Sequence, residues 1–377
     1  MAPPLAIYIH WPFCRSKCPY CDFNSHVRER IDARVWTNAL IADLDRQVEL
    51  APDHEVVSIF FGGGTPSLMP PDTAAALIER VRRHWPTAPG LEITLEANPN
   101  SAEAARFAGF AAAGVNRVSL GVQALRPEAL KFLGRAHDRD EALAAIKLSQ
   151  QLFKRTSFDL IYARPDQSLD AWSDELDEAL ALAGEHLSLY QLTIEPGTAF
   201  HTRAAKGELV LPDDETAAAM FELTQERLAA AGRPAYEISN HAHPGGECRH
   251  NLAYWRYEDY LGVGPGAHGR VTRRGVRYAT RQRRLPEAWL RQPKFEEMTA
   301  IGRDSAVEEM VMMGLRLAEG IPRARLEALA ECNAETLFGI SLARLIGGGF
   351  IALDNENFRA TEAGRQRLNA VLGALFG

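Results

Sequence analysis

Short β-branched runs alternate with longer amphipathic stretches over the first two thirds of this chain, and no other feature of the sequence constrains its fold as strongly. The apolar runs predict strands at 5–11, 56–61, 91–97, 117–122, 157–162 and 186–192. Helical periodicity predicts helices at 32–50, 72–84, 101–113, 126–134, 139–153, 168–183 and 213–231. A strand-then-helix order repeated about six times is typical of parallel strands joined by crossover helices. The predicted fold class is therefore α/β, a partial (β/α)6 barrel whose sheet is covered by helices on one face.

The pattern changes after about residue 232, where glycine, histidine and aromatic residues become frequent and helical periodicity fades. A third region starts near Asp304 with two helical stretches, followed by a helix around 335–346, the hairpin pattern "FIALDNENFRAT" and a last helix from Glu362. Helices followed by a two-stranded hairpin predict a small winged-helix-like α+β domain. The sequence thus divides into a barrel (1–232), an extension (233–303) and a C-terminal winged-helix-like domain (304–377).

Composition and charge exclude several classes of protein. The 377 residues carry a formal net charge of −7, which argues against nucleic acid as the main partner. The apolar runs are too short to cross a bilayer, and the N-terminal "MAPPLAIYIHWPFC" lacks the basic and apolar regions of a signal peptide. We therefore expect a cytoplasmic protein without disulfides, and a peripheral contact with the inner face of the membrane stays open.

One segment departs from the acidic balance, since 270–284 carries seven arginines and no acid. A solvated hairpin or loop would explain this composition. A patch that binds carboxylates, phosphates or an anionic membrane surface would explain it equally well.

Three of the five cysteines, Cys14, Cys18 and Cys21, lie within eight residues in the spacing CxxxCxxC, directly after the first predicted strand. Structural zinc sites use four protein ligands, commonly as two CxxC pairs, and the sequence has no second pair. Four-iron clusters are held by thiolates, and three thiolates leave one iron open to a ligand that is not protein. The spacing therefore predicts an iron–sulfur cluster with one open position. We interpret the distant Cys248 and Cys332 as buried or semi-exposed thiols.

Glycines and polar residues follow the later strands, at the edge where parallel α/β barrels place their active sites. The segment "FFGGGTPS" follows the second strand, and its glycines let backbone groups approach a ligand closely. Glu96 ends the third strand, Gln123 ends the fourth, and Asp159 lies on the fifth. Each residue alone is more often a helix cap or part of a solvated turn, but their order along the chain favours one ligand site.

In this combination the sequence resembles the radical S-adenosylmethionine (SAM) proteins. The resemblance implies that Cys14, Cys18 and Cys21 hold a [4Fe–4S] cluster, and that the amino and carboxylate groups of S-adenosyl-L-methionine chelate the open iron. It also implies that an electron from the reduced cluster can cleave the sulfonium to a 5′-deoxyadenosyl radical. The positions that match SAM contacts in the family are Tyr8, Tyr20, Gly63, Gly64, Thr65, Glu96, Gln123, Arg135, Asp159, Gln191 and His268.

Longer motifs narrow the resemblance to the HemN-like branch, which contains oxygen-independent coproporphyrinogen III oxidase and related haem chaperones. These motifs are "YIHWPFCRSKCPYCDFNSH", "FGGGTPS", "EANP", "GVQ", "YEISN", "HNLAYW" and "GVGPGAHG", and they extend over essentially the whole chain. In the oxidases of this branch the cysteine pattern is CxxxCxxCxC, with a further cysteine where this chain has Phe23. The oxidases also carry an N-terminal arm before the first strand, whereas the first predicted strand of this sequence begins at residue 5. Both departures favour the chaperones.

The segment "HNLAYW" (250–255) is similar to the HNxxYW signature proposed for haem binding in the chaperones. The resemblance implies a haem site formed by His250, Tyr254 and Trp255, because a neutral imidazole can ligate haem iron and aromatic rings can cover a porphyrin. An isolated histidine is more commonly an ordinary loop residue, and Cys248 is a rival axial ligand. Both alternatives stay open.

Three functions are compatible with the sequence. The first is a haem chaperone, monomer or homodimer, that binds the cluster, SAM and haem and delivers haem to membrane haem proteins. The second is oxygen-independent coproporphyrinogen III oxidase, which forms protoporphyrinogen IX by radical oxidative decarboxylation. The third is a nucleic-acid modifier or binder, which the acidic balance and the lack of a methyl-accepting cysteine pair disfavour. The first is favoured, without coproporphyrinogen dehydrogenase activity, and the sequence leaves open whether radical chemistry takes place.

Overall fold

The computed structural model describes residues 2–292 and 295–377. Its strands, numbered in chain order, are β1 (Pro4–Trp11), β2 (Phe13–Cys14), β3 (His26–Val27), β4 (Glu55–Gly63), β5 (Thr87–Ala97), β6 (Arg117–Gln123), β7 (Arg155–Tyr162), β8 (His186–Gln191), β9 (Asn240–Ala242), β10 (Asp259–Val263), β11 (His268–Arg273), β12 (Val276–Gln282), β13 (Phe295–Ala300), β14 (Ile321–Pro322), β15 (Ile351–Leu353) and β16 (Asn357–Ala360). Its helices are α1 (Ala33–Gln47), α2 (Pro71–His84), α3 (Ser101–Ala104), α4 (Phe107–Ala113), α5 (Pro127–Phe132), α6 (Arg139–Leu152), α7 (Leu169–Leu182), α8 (Ala199–Ala205), α9 (Asp214–Ala230), α10 (Arg249–Trp255), α11 (Pro286–Arg291), α12 (Arg303–Gly314), α13 (Arg323–Ala330), α14 (Ala334–Gly347), α15 (Glu362–Gln366) and α16 (Leu368–Phe376).

Eleven of these strands form one mixed sheet in the order β13-β12-β11-β10-β1-β4-β5-β6-β7-β8-β9. The strands β1, β4, β5, β6, β7 and β8 pair in parallel, as the alternation in the sequence predicts. Parallel neighbours need a crossover connection, and the helices between them supply it. The predicted α/β class, a partial barrel of six parallel strands with helices, is confirmed, and β10 adds a seventh parallel strand beside β1.

Strand β1 lies inside the sheet because nearly all of its side chains are apolar and buried. Leu5, Ile7 and Ile9 are fully buried on one face, and Ala6 is fully buried on the other, as expected for a strand covered on both faces. On one side β1 pairs with β4, and on the other it pairs in parallel with β10, which comes about 250 residues later in the chain. The strand that leads into the cysteine loop is therefore fixed from both edges.

The arginine-rich segment 270–284 forms the antiparallel hairpin of β11 and β12. Several of its arginines are engaged within the molecule: Arg270 pairs with Glu309, Arg277 with Asp259 and Arg281 with Glu297. These contacts tie the hairpin to α12 and to the neighbouring strands β10 and β13. The predicted role of this segment as a patch for anions or lipid stays a prediction.

Helix ends follow local capping chemistry. Asp32 caps α1, Asp138 forms a capping box with Glu141 at the start of α6, and Ser168 caps α7. The predicted helix 101–113 is wrong in one respect, because the structure has two helices there, α3 and α4. The break lies at Arg106, whose guanidinium donates to the carbonyls of Ser67 and Leu68 in the turn that follows β4.

The C-terminal helices α12 to α16 pack around a three-stranded sheet with the order β14-β16-β15. Val311, Leu326 and Phe358 are fully buried in a second hydrophobic core, whereas residues of the barrel and the extension share the first. This arrangement agrees with the predicted winged-helix-like fold. The division of the chain at residues 232 and 303 stays a prediction. None of the helices described by the structure is long and apolar enough to cross a membrane.

Candidate functional site

The carboxyl ends of the parallel strands open onto a cavity of about 960 Å³. The cysteine loop after β1 borders it, together with the glycine segment at the end of β4 and the ends of β5 to β8. Residues 365–370, at the junction of α15 and α16, form another part of its wall. Nine predicted SAM contacts line this cavity: Tyr20, Gly63, Gly64, Thr65, Glu96, Gln123, Arg135, Asp159 and Gln191.

Cys14, Cys18 and Cys21 all lie on the cavity wall and are half-buried. Cys14 ends β2, and the N–H of Cys21 donates to the carbonyl of Cys18 at 3.1 Å in the turn that follows. Two of the sulfurs accept hydrogen bonds, from Thr65 Oγ1 to Cys14 Sγ at 3.3 Å and from Arg135 Nη1 to Cys18 Sγ at 3.2 Å. Such donors favour the thiolate, which is the form that binds metal.

This donor set fits a four-iron cluster better than a single metal ion. Within the parts of the chain that the structure describes, no three His, Cys, Asp or Glu side chains are grouped so that they could hold one ion. A zinc site needs ligands grouped around a single ion, whereas a four-iron cube receives each thiolate at a different iron. Burial raises the pKa of Cys14 and of Cys21, so these groups stay thiols until a metal displaces the proton. The three cysteines, which all line the cavity, could therefore hold the cluster.

The cysteine loop is fixed by contacts from distant parts of the chain. Asn24 Nδ2 donates to the carbonyls of Pro265 and Arg284, both at 3.0 Å, and His10 Nε2 lies 2.9 Å from the Asn24 carbonyl. The parallel pairing of β2 with β3 closes the loop. Sequence reasoning misses Asn24, because the two carbonyls that it binds lie 241 and 260 residues away.

Gly63 and Gly64 bring the end of β4 against the cysteine strand. Gly63 has a φ of +117°, a conformation that favours glycine. The N–H of Gly64 donates to the Trp11 carbonyl, and a Cβ at Gly64 would lie 2.8 Å from the Phe13 oxygen. The N–H of Thr65 donates to the same Phe13 oxygen at 2.8 Å. The glycines thus allow two backbones to meet, and their predicted contact with SAM stays a prediction.

Two carboxyl groups, Glu96 on β5 and Asp159 on β7, lie on the cavity wall. Burial, reinforced by the nearby charge of Asp159, raises the pKa of Glu96 to about 8. Burial also raises the pKa of Asp159 to about 6, although hydrogen bonds from Ser188 and Ser119 oppose this shift. A positively charged ligand would stabilise the ionised form of both groups. The pair therefore suits a ligand that carries an ammonium or sulfonium group.

Gln123 and Arg135 complete the polar wall. Gln123 has a φ of +72°, and its buried Oε1 has no hydrogen-bond partner in the described part of the chain. A strained residue with an unpartnered acceptor is typical of a site where a ligand supplies the donor. Arg135 Nη2 donates to Asn98 Oδ1 at 2.5 Å and to the Gly121 carbonyl at 2.7 Å. Asn98 could have been predicted as well, because it stands in the "EANP" motif.

Two of the predicted SAM contacts lie elsewhere. The Tyr8 hydroxyl hydrogen-bonds His10 Nδ1 at 2.9 Å, and its ring packs against Phe60. His268 is exposed at the start of β11. Neither is among the described residues that line the cavity. Gln191 lines it, but its amide donates to the Ala217 carbonyl at 2.7 Å.

The predicted haem motif is built into the protein interior on α10. His250 is 1% exposed, and its two ring nitrogens hydrogen-bond the hydroxyls of Ser58 at 2.9 Å and Tyr254 at 2.8 Å. Burial lowers the pKa of His250 to about 3, so the ring is neutral. Iron could bind this neutral imidazole only by replacing one of the two hydrogen bonds. Trp255 packs against a residue of the cavity wall. The guanidinium of Arg316, which lines the cavity, lies 4.5 Å from the centre of the Trp255 ring.

Family comparisons agree with this architecture. The chain matches the radical SAM superfamily over residues 8–179 and the HemN C-terminal domain over residues 302–367. Its fold also superposes on the coproporphyrinogen III oxidase HemN from Escherichia coli with a TM-score of 0.82, over 99% of this chain and 90% of that one. The sequence identity in that superposition is 22%, so the likeness shows the fold alone. With a cysteine loop at the mouth of a parallel barrel, the chain belongs to the radical SAM superfamily.

Sequence relatives place the chain more narrowly, in the HemN-like branch. It is 41% identical to the heme chaperone HemW of Escherichia coli (strain K12), over 98% of this chain and 97% of that protein. It is 38% identical to the heme chaperone HemW of Mycobacterium tuberculosis, over 99% of this chain and 95% of that protein. It is also 37% identical to the mitochondrial radical S-adenosyl methionine domain-containing protein 1 of Danio rerio, over 97% of this chain and 86% of that protein.

Proposed function

We propose that this chain is a haem chaperone of the radical SAM superfamily, which binds haem as its cargo and delivers it to membrane haem proteins. The observation that carries the proposal is the 41% identity to a protein named heme chaperone along 98% of this chain. Phe23 supports it as well, because it stands where the sequence pattern of the oxidases has a further cysteine. Its side chain lines the cavity and is 61% exposed.

In this proposal Cys14, Cys18 and Cys21 hold a [4Fe–4S] cluster, and SAM binds in the adjoining cavity. Glu96 and Asp159 bind the positive charge of SAM, and the unpartnered Oε1 of Gln123 accepts a hydrogen bond from it. When it is bound and reduced, a cluster of this kind supplies one electron, which can cleave a sulfonium.

Reconstitution with iron and sulfide under anaerobic conditions tests the cluster. We expect charge-transfer absorbance and a paramagnetic signal on reduction, and we expect both to be lost in Cys18→Ser. Cys332→Ser is the matched control, since Cys332 is a half-buried cysteine outside the cavity. Full occupancy by zinc, or an unchanged iron content in Cys18→Ser, would contradict the assignment.

Haem titration of the reconstituted protein tests the chaperone function. We expect saturable, stoichiometric binding that is visible as a shifted Soret band. A parallel assay with coproporphyrinogen III, SAM and dithionite should yield no protoporphyrinogen IX. Turnover in that assay without saturable haem binding would favour the oxidase instead.

Delivery to the membrane is the finer part of the proposal. We expect haem-loaded protein to restore the spectrum of a membrane-embedded apo-haem protein in vesicles, and to sediment with those vesicles through a peripheral contact. Transfer at the same rate from a haem-loaded serum albumin control would contradict a specific delivery step. Size-exclusion chromatography with and without the cluster distinguishes a monomer from a homodimer.

A further inference from the structure

The cavity wall carries acidic and basic side chains from different parts of the chain. Glu96 and Asp159 come from the strand ends, where Arg135 also lies, and further guanidinium groups reach the wall from the C-terminal domain. Three arginines of that domain line the cavity: Arg316, Arg365 and Arg367. The sulfonium of SAM suits Glu96 and Asp159, and its carboxylate is assigned to the open iron. SAM therefore does not account for the guanidinium groups of the C-terminal domain.

Of these three arginines, Arg365 gives the evidence for an anionic ligand. It is half-buried at the end of α15, and its one hydrogen bond among the described residues goes from Nη1 to the Ala360 carbonyl at 3.2 Å. It forms no ion pair within the described ranges, whereas Arg323 of the same domain pairs with Glu327 and Glu335. Burial lowers the pKa of Arg365, and the charge of Glu362 opposes this shift. A half-buried charge without a counter-ion loses part of its hydration without compensation, so an anion bound at this arginine would be stabilised.

Arg316 is a second cation on this part of the wall, and it is held in place. Its Nη2 lies 3.3 Å from the buried Glu237 carboxylate, and its guanidinium stacks over Trp255. Its Nε is buried without a partner in the described structure. The side chain is thus fixed by an aromatic face and one carboxylate, with donor capacity left over.

The acids near Arg365 do not neutralise it. Asp214 borders a second cavity of about 280 Å³ that Arg365 also lines, but it is exposed and lies in the first turn of α9, where the helix dipole favours its charge. Glu222 accepts a hydrogen bond from Gln366 at 2.8 Å. Arg365 therefore stays available to a carboxylate that enters the cavity.

We propose that Arg365, assisted by Arg316, forms an anion site for the carboxylates of the cargo, which for haem are its two propionates. This inference rests on the proposed chaperone function, and it gives that function a location for the cargo within the cavity. A volume of about 960 Å³ lies at the upper end of the roughly 300–1,000 Å³ of small-molecule pockets. The cavity is therefore large enough to admit more than a cofactor of ordinary size.

The experiment measures binding of haem and of haem dimethyl ester, in which both propionates are uncharged, to the reconstituted protein. We expect the wild type to bind haem about tenfold more tightly than the ester, as loss of a charge-assisted hydrogen bond implies. Arg365→Gln should weaken haem binding about tenfold and leave ester binding unchanged. Arg344→Gln is the matched control, because Arg344 is an exposed arginine of α14 that does not line the cavity.

Two further readouts separate a binding role from a structural one. Because Arg365 is a half-buried charge without a counter-ion, Arg365→Gln should keep or raise the unfolding temperature, whereas loss of a structural residue would lower it. SAM affinity should not change. Equal haem affinity of the wild type and Arg365→Gln, or equal affinity for haem and its ester, would overturn the anion site while the chaperone function stands. No haem binding by the wild type would overturn both.

Discussion

At the scale of single residues, His250 belongs to a recognisable motif but lies inside the protein. The sequence leaves His250 open as a haem ligand or an ordinary loop residue. The structure buries it, with the ring of Phe60 stacked on it at a centroid distance of 4.8 Å and both ring nitrogens hydrogen-bonded. Its immediate role in this conformation is to join β4 to α10. Ligation of haem iron would need a rearrangement of α10, whereas a cavity site for haem would not.

We expect His250→Ala to lower the free energy of unfolding by about 2–4 kcal/mol, because it leaves the Ser58 and Tyr254 hydroxyls without their buried partner and opens a cavity. Urea unfolding measures this. Tyr254→Phe is the companion variant, since it frees His250 Nε2 and keeps the ring packing. If His250 ligates haem, Tyr254→Phe should bind haem at least as tightly as the wild type. Weaker binding by Tyr254→Phe would speak against ligation through Nε2.

A second prediction at this scale concerns Glu96. The pKa of Glu96 is raised to about 8 in the folded protein from an ordinary value of 4.5, so the folded state holds a proton that the unfolded state loses. This contribution to stability is complete below pH 4.5 and is lost as the pH rises to about 8. In cofactor-free Glu96→Gln the urea midpoint should therefore fall less between pH 7 and pH 8 than in the wild type, and the variant should bind SAM more weakly. The exposed Glu362→Gln is the control, and an equal decline in both variants would contradict the prediction.

Arg164 has a role that its place in the sequence does not reveal. It lies two residues after the end of β7. Its guanidinium pairs with Glu175 of α7, and both side chains are almost fully buried. Glu175 also accepts the N–H of Leu125 at 2.7 Å, so the pair joins three segments behind the cavity. The partner lies on a later helix, which a motif cannot reveal.

At the scale of elements, the glycine segment controls how closely β4 approaches the cysteine strand. We expect Gly64→Ala to cost about 1–3 kcal/mol of stability, since its Cβ would lie 2.8 Å from the Phe13 oxygen and the backbone cannot yield easily. We also expect it to reduce the iron content after reconstitution, because Cys14 follows Phe13 directly. Gly373→Ala is the matched control, as a Cβ on that helical glycine meets nothing within 4 Å. Normal iron content in Gly64→Ala would contradict a role of this approach in holding the loop.

The elements that the sequence predicted well are those with local causes. The six parallel strands follow from apolar runs and the intervening helices, and the cysteine loop follows from its spacing. Helix α3 ends at Ala104, two residues before Arg106, whose carbonyl partners belong to another segment. Likewise, the contribution of Arg365 to the cavity depends on how the C-terminal domain packs on the barrel. Sequence patterns report periodicity and local caps, whereas these features depend on long-range packing.

At the scale of the whole molecule, buried neutral histidines and buried protonated carboxyl groups should set opposite limbs of the stability profile. Burial lowers the pKa of His10, His137 and His241 to about 4 each, and that of His250 to about 3. Their contribution to the free energy of unfolding is complete above pH 6.5 and is lost as the pH falls towards 4. In that range the unfolded chain binds protons that the folded protein does not bind. The carboxyl groups of Glu96 and Asp159 act in the opposite direction at higher pH.

We therefore expect the urea midpoint of the cofactor-free protein to pass through a maximum near pH 6 to 7 and to fall most steeply between pH 6 and pH 4. Urea titrations at half-unit intervals of pH measure the profile, with His250→Ala as a variant in which one histidine contribution is removed. A midpoint that stays level from pH 6.5 down to pH 4 would contradict the burial of these rings as neutral groups.

The cavity also has a consequence for the order in which the protein is made. The residues that line it extend along the sequence from Cys14 to Ala370. The second edge of β1 can pair only after β10 has been synthesised. While the ribosome is still synthesising the chain, the cysteines have emerged but the wall that faces them does not yet exist. The cysteine loop therefore lacks its complete wall until the C-terminal residues have been made and have packed against the barrel.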